Sequence, residues 1–278
     1  MKQFTTTFII IVLLGISGYF TYNYYMDWHL EEVETARQQV REEIRLRESP
    51  PVPKEKLIEA LGGEPSADPH EDSFDEIERK VMAFFSYLDL KEYVKSYKLE
   101  NGTHYQFQQS VRKLSSHLPV VAGETESLFT LLKNVSHLYR VLGKQRLFLI
   151  KDILKNESEI IESVASTFYL WFTMNSNVTE KKDRRPSLKV LYTYSGFFLN
   201  TLAGRNYLLR RVPKIRILAT YYCVLILDKA NDARMNPNGI DIRSHIKLLL
   251  TDISNQSGFI NKNQYMLELD QLDSKYQL

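Results

Sequence analysis

Four groups of residues in this 278-residue chain are of types that do chemistry: six histidines, a lone cysteine, an Asp/Asn-rich stretch and a basic helix junction. His29, His70, His104, His117, His137 and His245 are spread one to a segment. A metal site in a helical bundle needs ligands projecting together from facing turns, and neither Glu-x-x-His nor His-Glu-x-x-His occurs. No metal or other cofactor is expected. Cys223 sits in the apolar run ILATYYCVLIL with no second cysteine to pair with, so it reads as a small buried hydrophobe. The stretch DKANDARMNPNGID, residues 228–241, is rich in oxygen donors. In no register does it place acids at calcium-loop positions one, three and five with Glu at twelve. Asn236-Pro237-Asn238-Gly239 reads instead as a turn, with Asp241 capping the helix that follows.

The basic junction is GRNYLLRRVPKIR, where Arg205, Arg210, Arg211, Lys214 and Arg216 surround a break at Pro213 between two apolar helices. Cations at a helix C-terminus meet its dipole favourably, which is one reading. The other is a contact for an anionic partner: a lipid headgroup, a cell-wall polymer or an acidic protein patch. Lys181, Lys182, Arg184 and Arg185 widen that patch if they fold nearby. Nucleic acid is a poor match, since net charge is only +2 and the cations do not line a broad face. Glu162-Ser163, in IIESVAS, resembles over two residues the catalytic glutamate segment of helical lytic transglycosylases, which cut peptidoglycan. The Gly-Leu-Met-Gln segment that follows in that family is missing here, so no activity is implied. Nucleophile-elbow, P-loop and dinucleotide fingerprints are absent as well.

The elements that carry these residues are helical from Ser73 onward. Ser73-Phe74-Asp75-Glu76 forms a capping box, and Phe74, Ile77, Val81, Phe84, Phe85 and Leu88 repeat on one face behind it. Asp89-Leu90-Lys91-Glu92 reads as a second cap, opening a short helix to Tyr97. Further helices are expected around Phe107 to Leu118, with Pro119 as the stop, and from Leu128 to Leu142, with Gly143 as the stop. Others follow over 144–154, 157–174, 188–209 (capped by Ser187), 214–233, 241–253 and 264–272. Strand-like alternation is not found, so the body is all-α. Hydrophobic residues at 44% and aromatics at 12% suffice for a packed core. Five Asn-x-Ser/Thr triplets, at Asn101, Asn134, Asn156, Asn177 and Asn255, leave glycosylation as a minor reading.

Ahead of the body lies the strongest pattern in the chain. Residues 3–26 carry no charge, and a helix of that length reaches roughly 36 Å, enough to cross a ~30 Å hydrocarbon core. Phe8, Ile10, Val12 and Leu14 lie in its apolar part; Tyr19, Tyr22, Tyr25 and Trp28 supply the aromatic belt that marks the exit from lipid. A cleaved secretory signal is the competing reading, but the apolar run continues past Gly15-Ile16-Ser17 and no Ala-x-Ala follows. The expected organisation is a short tail (1–3), a transmembrane anchor (4–26), a helical stalk (27–48), an acidic Pro/Gly-rich linker (49–72) and an all-helical domain (73–278). The stalk has a narrow apolar seam through Leu30, Val33, Ala36, Val40 and Ile44, either solvated or used for dimerisation. Within the linker, KEKLIEAL is a two-turn amphipathic segment that either docks on a partner or folds back on its own domain.

A very short tail before the first apolar helix places the body outside the cytoplasm, although Lys and Arg counts do not favour this. A single cysteine suits the cytosol or a bacterial envelope better than an animal secretion, and with the body outside the cytoplasm a bacterial periplasm is the expected location. The expected function is a membrane-anchored helical interaction or scaffold protein of the cell envelope. Its alternatives are an envelope enzyme with a dispersed site and a cytoplasm-facing domain that binds anionic lipid.

Overall fold

The computed structural model describes residues 54–64, 72–119, 136–174, 185–199 and 213–277. The anchor, the stalk, part of the linker and Arg205, Arg210 and Arg211 lie outside them, as do Lys181, Lys182, Arg184, Asn134, Asn177 and the helical repeat from Leu128 to Val135. The described residues form ten helices and no strand: α1 (Lys54–Leu61), α2 (Phe74–Leu90), α3 (Glu92–Lys95), α4 (Gly102–Ser116), α5 (His137–Asn156), α6 (Ile161–Thr173), α7 (Leu188–Phe197), α8 (Pro213–Asp232), α9 (Arg243–Asn255) and α10 (Lys262–Tyr276). The all-α expectation holds across all of them.

Local chemistry explains most boundaries. Ser73 caps α2, its Oγ accepting from the Glu76 amide at 3.3 Å, and Ser187 does the same for α7 through Val190 at 3.4 Å. The cap expected at Asp89 works elsewhere. Asp89 Oδ1 accepts from the Thr103 amide at 2.8 Å, so it serves α4, while α3 starts without a side-chain cap. The cause is a reversal at Asn101 and Gly102, with φ of 59° and 74°, which turns the start of α4 onto the end of α2. A Cβ on Gly102 would sit 2.7 Å from Asp89 Oδ2, so both the φ and the close approach require glycine there. Gly143 is a second departure. It breaks the helical backbone as expected (φ 78°, ψ 165°), but the chain re-enters helix at once, and the two segments make one kinked element, α5.

Three apolar clusters hold the helices together, and α6 contributes to all of them. Ile161 joins the C-terminal cluster built on α8, α9 and α10, with Val224, Leu227, Ile246, Leu249, Ile253 and Leu269 at its centre. Val164 joins Leu57, Phe84, Tyr87, Leu88 and Leu149 of the N-terminal helices. Tyr169, Leu170 and Trp171 meet Ile77, Val81 and Phe85 of α2 and Ile226 of α8. Phe168 is the hub of the aromatic packing there, with edge-to-face contacts to Phe84, Phe85, Phe107 and Trp171 at centroid distances of 5.7–6.1 Å. Helices α6 and α8 are therefore the central core helices that their apolar runs suggest. No helix among the described residues is long and apolar enough to cross a membrane.

Candidate functional site

The basic junction reduces, among the described residues, to the first turn of α8, and there its cations are matched internally. Lys214 Nζ lies 2.9 Å from Glu162 Oε2 and donates to the Gly258 carbonyl at 2.8 Å. Arg216 Nη2 donates to Asp252 Oδ2 at 3.1 Å. Glu162 itself is fully buried at 0% exposure. Its two oxygens also accept the amides of Ile260 (3.0 Å) and Asn261 (2.9 Å), immediately ahead of α10. One carboxylate thus ties three elements together: α6, which carries it, the start of α8 through Lys214, and the entry to α10 through two backbone donors. A carboxylate at a helix N-terminus is favourably placed against the dipole and the orphan amides. Enclosed and saturated with donors, it has no open side from which to act on a substrate. The resemblance to a lytic glutamate ends at the residue pair.

A second buried carboxylate, Glu157, carries no local sequence pattern that marks it. Glu157, 2% exposed in the connection between α5 and α6, accepts the Tyr87 hydroxyl at 2.8 Å and the Tyr93 hydroxyl at 2.9 Å. Lys56 Nζ lies 3.3 Å away and also donates to Glu159 (3.1 Å) and to the Asn156 carbonyl (3.2 Å). Burial, together with the hydrogen bond to Glu157, drives both phenol pKa values far above their usual range, so both remain donors at any physiological pH. Lys56 belongs to α1, the KEKLIEAL segment, which folds back on its own domain with Leu57, Ala60 and Leu61 buried. Helix α2 is its principal neighbour; Lys91 pairs with Glu59 at 3.4 Å and Arg79 donates to the Gly62 carbonyl at 2.8 Å.

The remaining candidates resolve into structural roles. Asn236 accepts the Tyr192 hydroxyl (2.8 Å) and the Ile240 amide (3.0 Å), which makes the turn after α8. Asp228 and Asp232, in the last turns of α8, both bind Lys275 at 2.7 Å, so their oxygens face a cation of α10. Arg185 Nη1 donates to the carbonyls of Trp171 and Met174, closing the end of α6, and its guanidinium stacks 4.6 Å from the Phe74 ring. Burial pulls its pKa down. His137 is buried against Phe197 and bonds Tyr194 at 3.0 Å, while His104 packs on Phe85. No group of three metal-ligating side chains occurs among the described residues. Asn101, Asn156 and Asn255 are exposed at helix ends.

Two of these residues give direct checks. Asp241 accepts from the Arg243 side chain and from its backbone amide (2.9 Å), and these bonds pull its pKa down to about 2. A depressed folded pKa means that its stabilising contribution is complete above the unfolded value near ~3.9 and is lost as pH falls toward ~2. Asp241→Asn should therefore lower the urea midpoint slightly at pH 6, with wild type and variant converging below pH 2. Cys223 is half-buried against the C-terminal cluster, and burial pushes its thiol up to about 12. At pH 8 only about one thiol in ten thousand is ionised, so labelling by a disulfide reagent should run at least ~100-fold slower in native than in urea-unfolded protein.

Comparison with known proteins finds no matching family model, no similar curated protein and no similar solved structure, so the functional argument rests on the residues of this chain.

Proposed function

We propose that this chain is a membrane-anchored helical interaction protein of the cell envelope, a structural or assembly component whose bundle binds another protein. The reading joins the uncharged stretch at residues 3–26 to an all-helical body. One observation carries its non-catalytic side: the buried carboxylates Asp72, Glu157 and Glu162 are each engaged by a cation of the bundle itself. A buried acid committed to internal donors builds architecture, whereas a catalytic one needs an approachable face. The bundle face is extracytoplasmic in this reading, with the anchor as its only tie to lipid. The matching of Lys214 and Arg216 to Glu162 and Asp252 weighs against a lipid-binding junction.

Two measurements test it. A topology reporter fused after Leu278 should be active only in its extracytoplasmic form; activity in the cytoplasmic form rejects the placement. Affinity capture of the full chain from gently solubilised membranes should recover one stoichiometric protein, and its absence under crosslinking conditions removes the interaction role.

A further inference from the structure

We infer that α1 is a releasable strap: it undocks as a unit from the groove formed by α2, α3 and the α5–α6 connection while the rest of the bundle stays folded. Four observations converge on this. First, α1 is only eight residues long, and the sequence on both sides, SPPVP before it and GGEPSADPHED after it, is rich in proline and glycine. Helices so short do not persist in water without packing, so α1 is helical because it is docked. Second, its apolar hold rests on three side chains, Leu57, Ala60 and Leu61, which share a cluster with Phe84, Tyr87, Leu88, Val94, Leu149, Ile160 and Val164. Third, of its ion pairs among the described residues two involve solvated carboxylates, and the third joins Lys56 to the buried Glu157. Glu59, which meets Lys91, is 57% exposed, and Glu159, which meets Lys56, is 45% exposed.

The fourth observation separates α1 from the other buried ion pairs. When Lys56 leaves, Glu157 keeps the Tyr87 and Tyr93 hydroxyls at 2.8 and 2.9 Å, both from residues that stay with the bundle. Release therefore exposes the carboxylate to water while two donors still hold it, and Lys56 goes into solvent. Nothing is left buried and unpaired, the condition that normally forbids opening. At the Glu162 clasp the opposite holds, because losing Lys214 leaves a fully enclosed carboxylate. In chain order α1 follows residues 1–53, so tension transmitted along the chain from them reaches the strap before any other helix of the bundle. The inference does not depend on the membrane anchor or on a partner.

Hydrogen exchange on the full chain in mild detergent tests it. The amides of residues 58–63, which include the Gly63 to Ile58 bond at 3.1 Å, should exchange slower than free peptide but at least tenfold faster than those of α2 and α6. Leu57→Asp should bring residues 58–63 to the free-peptide rate and leave α6 and α8 unchanged. Lys56→Gln should accelerate them without altering apolar packing. Exchange of residues 58–63 in step with α2 in the wild-type chain, or loss of α6 protection in Leu57→Asp, would overturn the strap and make α1 an integral part of the core.

Discussion

Glu162→Ala should destabilise the bundle by about 3–5 kcal/mol, measured by urea unfolding at pH 7. The substitution removes three interactions at once. Lys214, whose side chain is only 20% exposed, loses its anion, and the amides of Ile260 and Asn261 lose their acceptors. Both amides are part-buried, so each orphaned donor costs about 1 kcal/mol, the low end for such groups, and the uncompensated charge more. Lys214→Met should cost nearly as much from the other side, since the carboxylate is then enclosed with two neutral donors and no cation. Glu162→Gln keeps an acceptor for the amides but gives up the charge, so it should fall between wild type and Glu162→Ala. In the double variant Glu162→Gln/Lys214→Met the losses should be less than additive by at least ~1 kcal/mol, the mark of a direct pair. Such figures measure the cost of breaking the clasp; its net worth against an apolar replacement is smaller. A loss below about 1 kcal/mol for Glu162→Ala would show that α10 is held by Leu269 and its apolar neighbours alone.

Periodicity made the helices readable, because apolar residues at three- and four-residue spacing have few other ways to be buried. Ile77, Val81, Phe84, Phe85 and Leu88 fall on the buried face of α2 for that reason. Caps with a Ser hydroxyl three residues ahead of their amide were equally legible, since both partners are local. Asp89 does not cap the helix its local sequence suggests, because its donor, Thr103, is brought back by a reversal at Asn101 and Gly102 that no local rule demands. The clasps were hidden for the same reason on a larger scale. Glu162 and Lys214 are 52 positions apart, farther than any short motif spans, so the sequence offers Glu162 a two-residue resemblance and Lys214 a helix-dipole or anionic-partner role without pairing them. A weak signal was present: a single carboxylate inside the apolar segment IIESVASTFYLWF must find donors if that helix is central. Tyr87 and Tyr93 carried no such signal, because an aromatic ring on an apolar face reads as packing and its hydroxyl says nothing about the partner.

The centre of the bundle offers the second large effect. Trp171 is 0% exposed and lies where α2, α4 and α6 converge, with Phe107 and Phe168 rings at 6.0 and 6.1 Å. Trp171→Ala removes a whole ring system from a position with no solvent to fill it, and should cost about 3–5 kcal/mol. Trp171→Phe is the informative companion. Among the described residues the Trp171 indole nitrogen has no hydrogen-bond partner, so the polar group of this side chain contributes nothing that phenylalanine would forfeit. The smaller ring leaves some volume unfilled, yet it also removes a buried donor that was unsatisfied, and the two changes oppose each other. The expected loss for Trp171→Phe is therefore within about 1–1.5 kcal/mol, a fraction of the alanine value. If the two variants instead lose similar amounts, the indole N–H is engaged in the native protein and the aromatic cluster is not governed by packing alone. Thermal unfolding of both variants, followed by far-ultraviolet circular dichroism so that the helices themselves are observed, separates these outcomes.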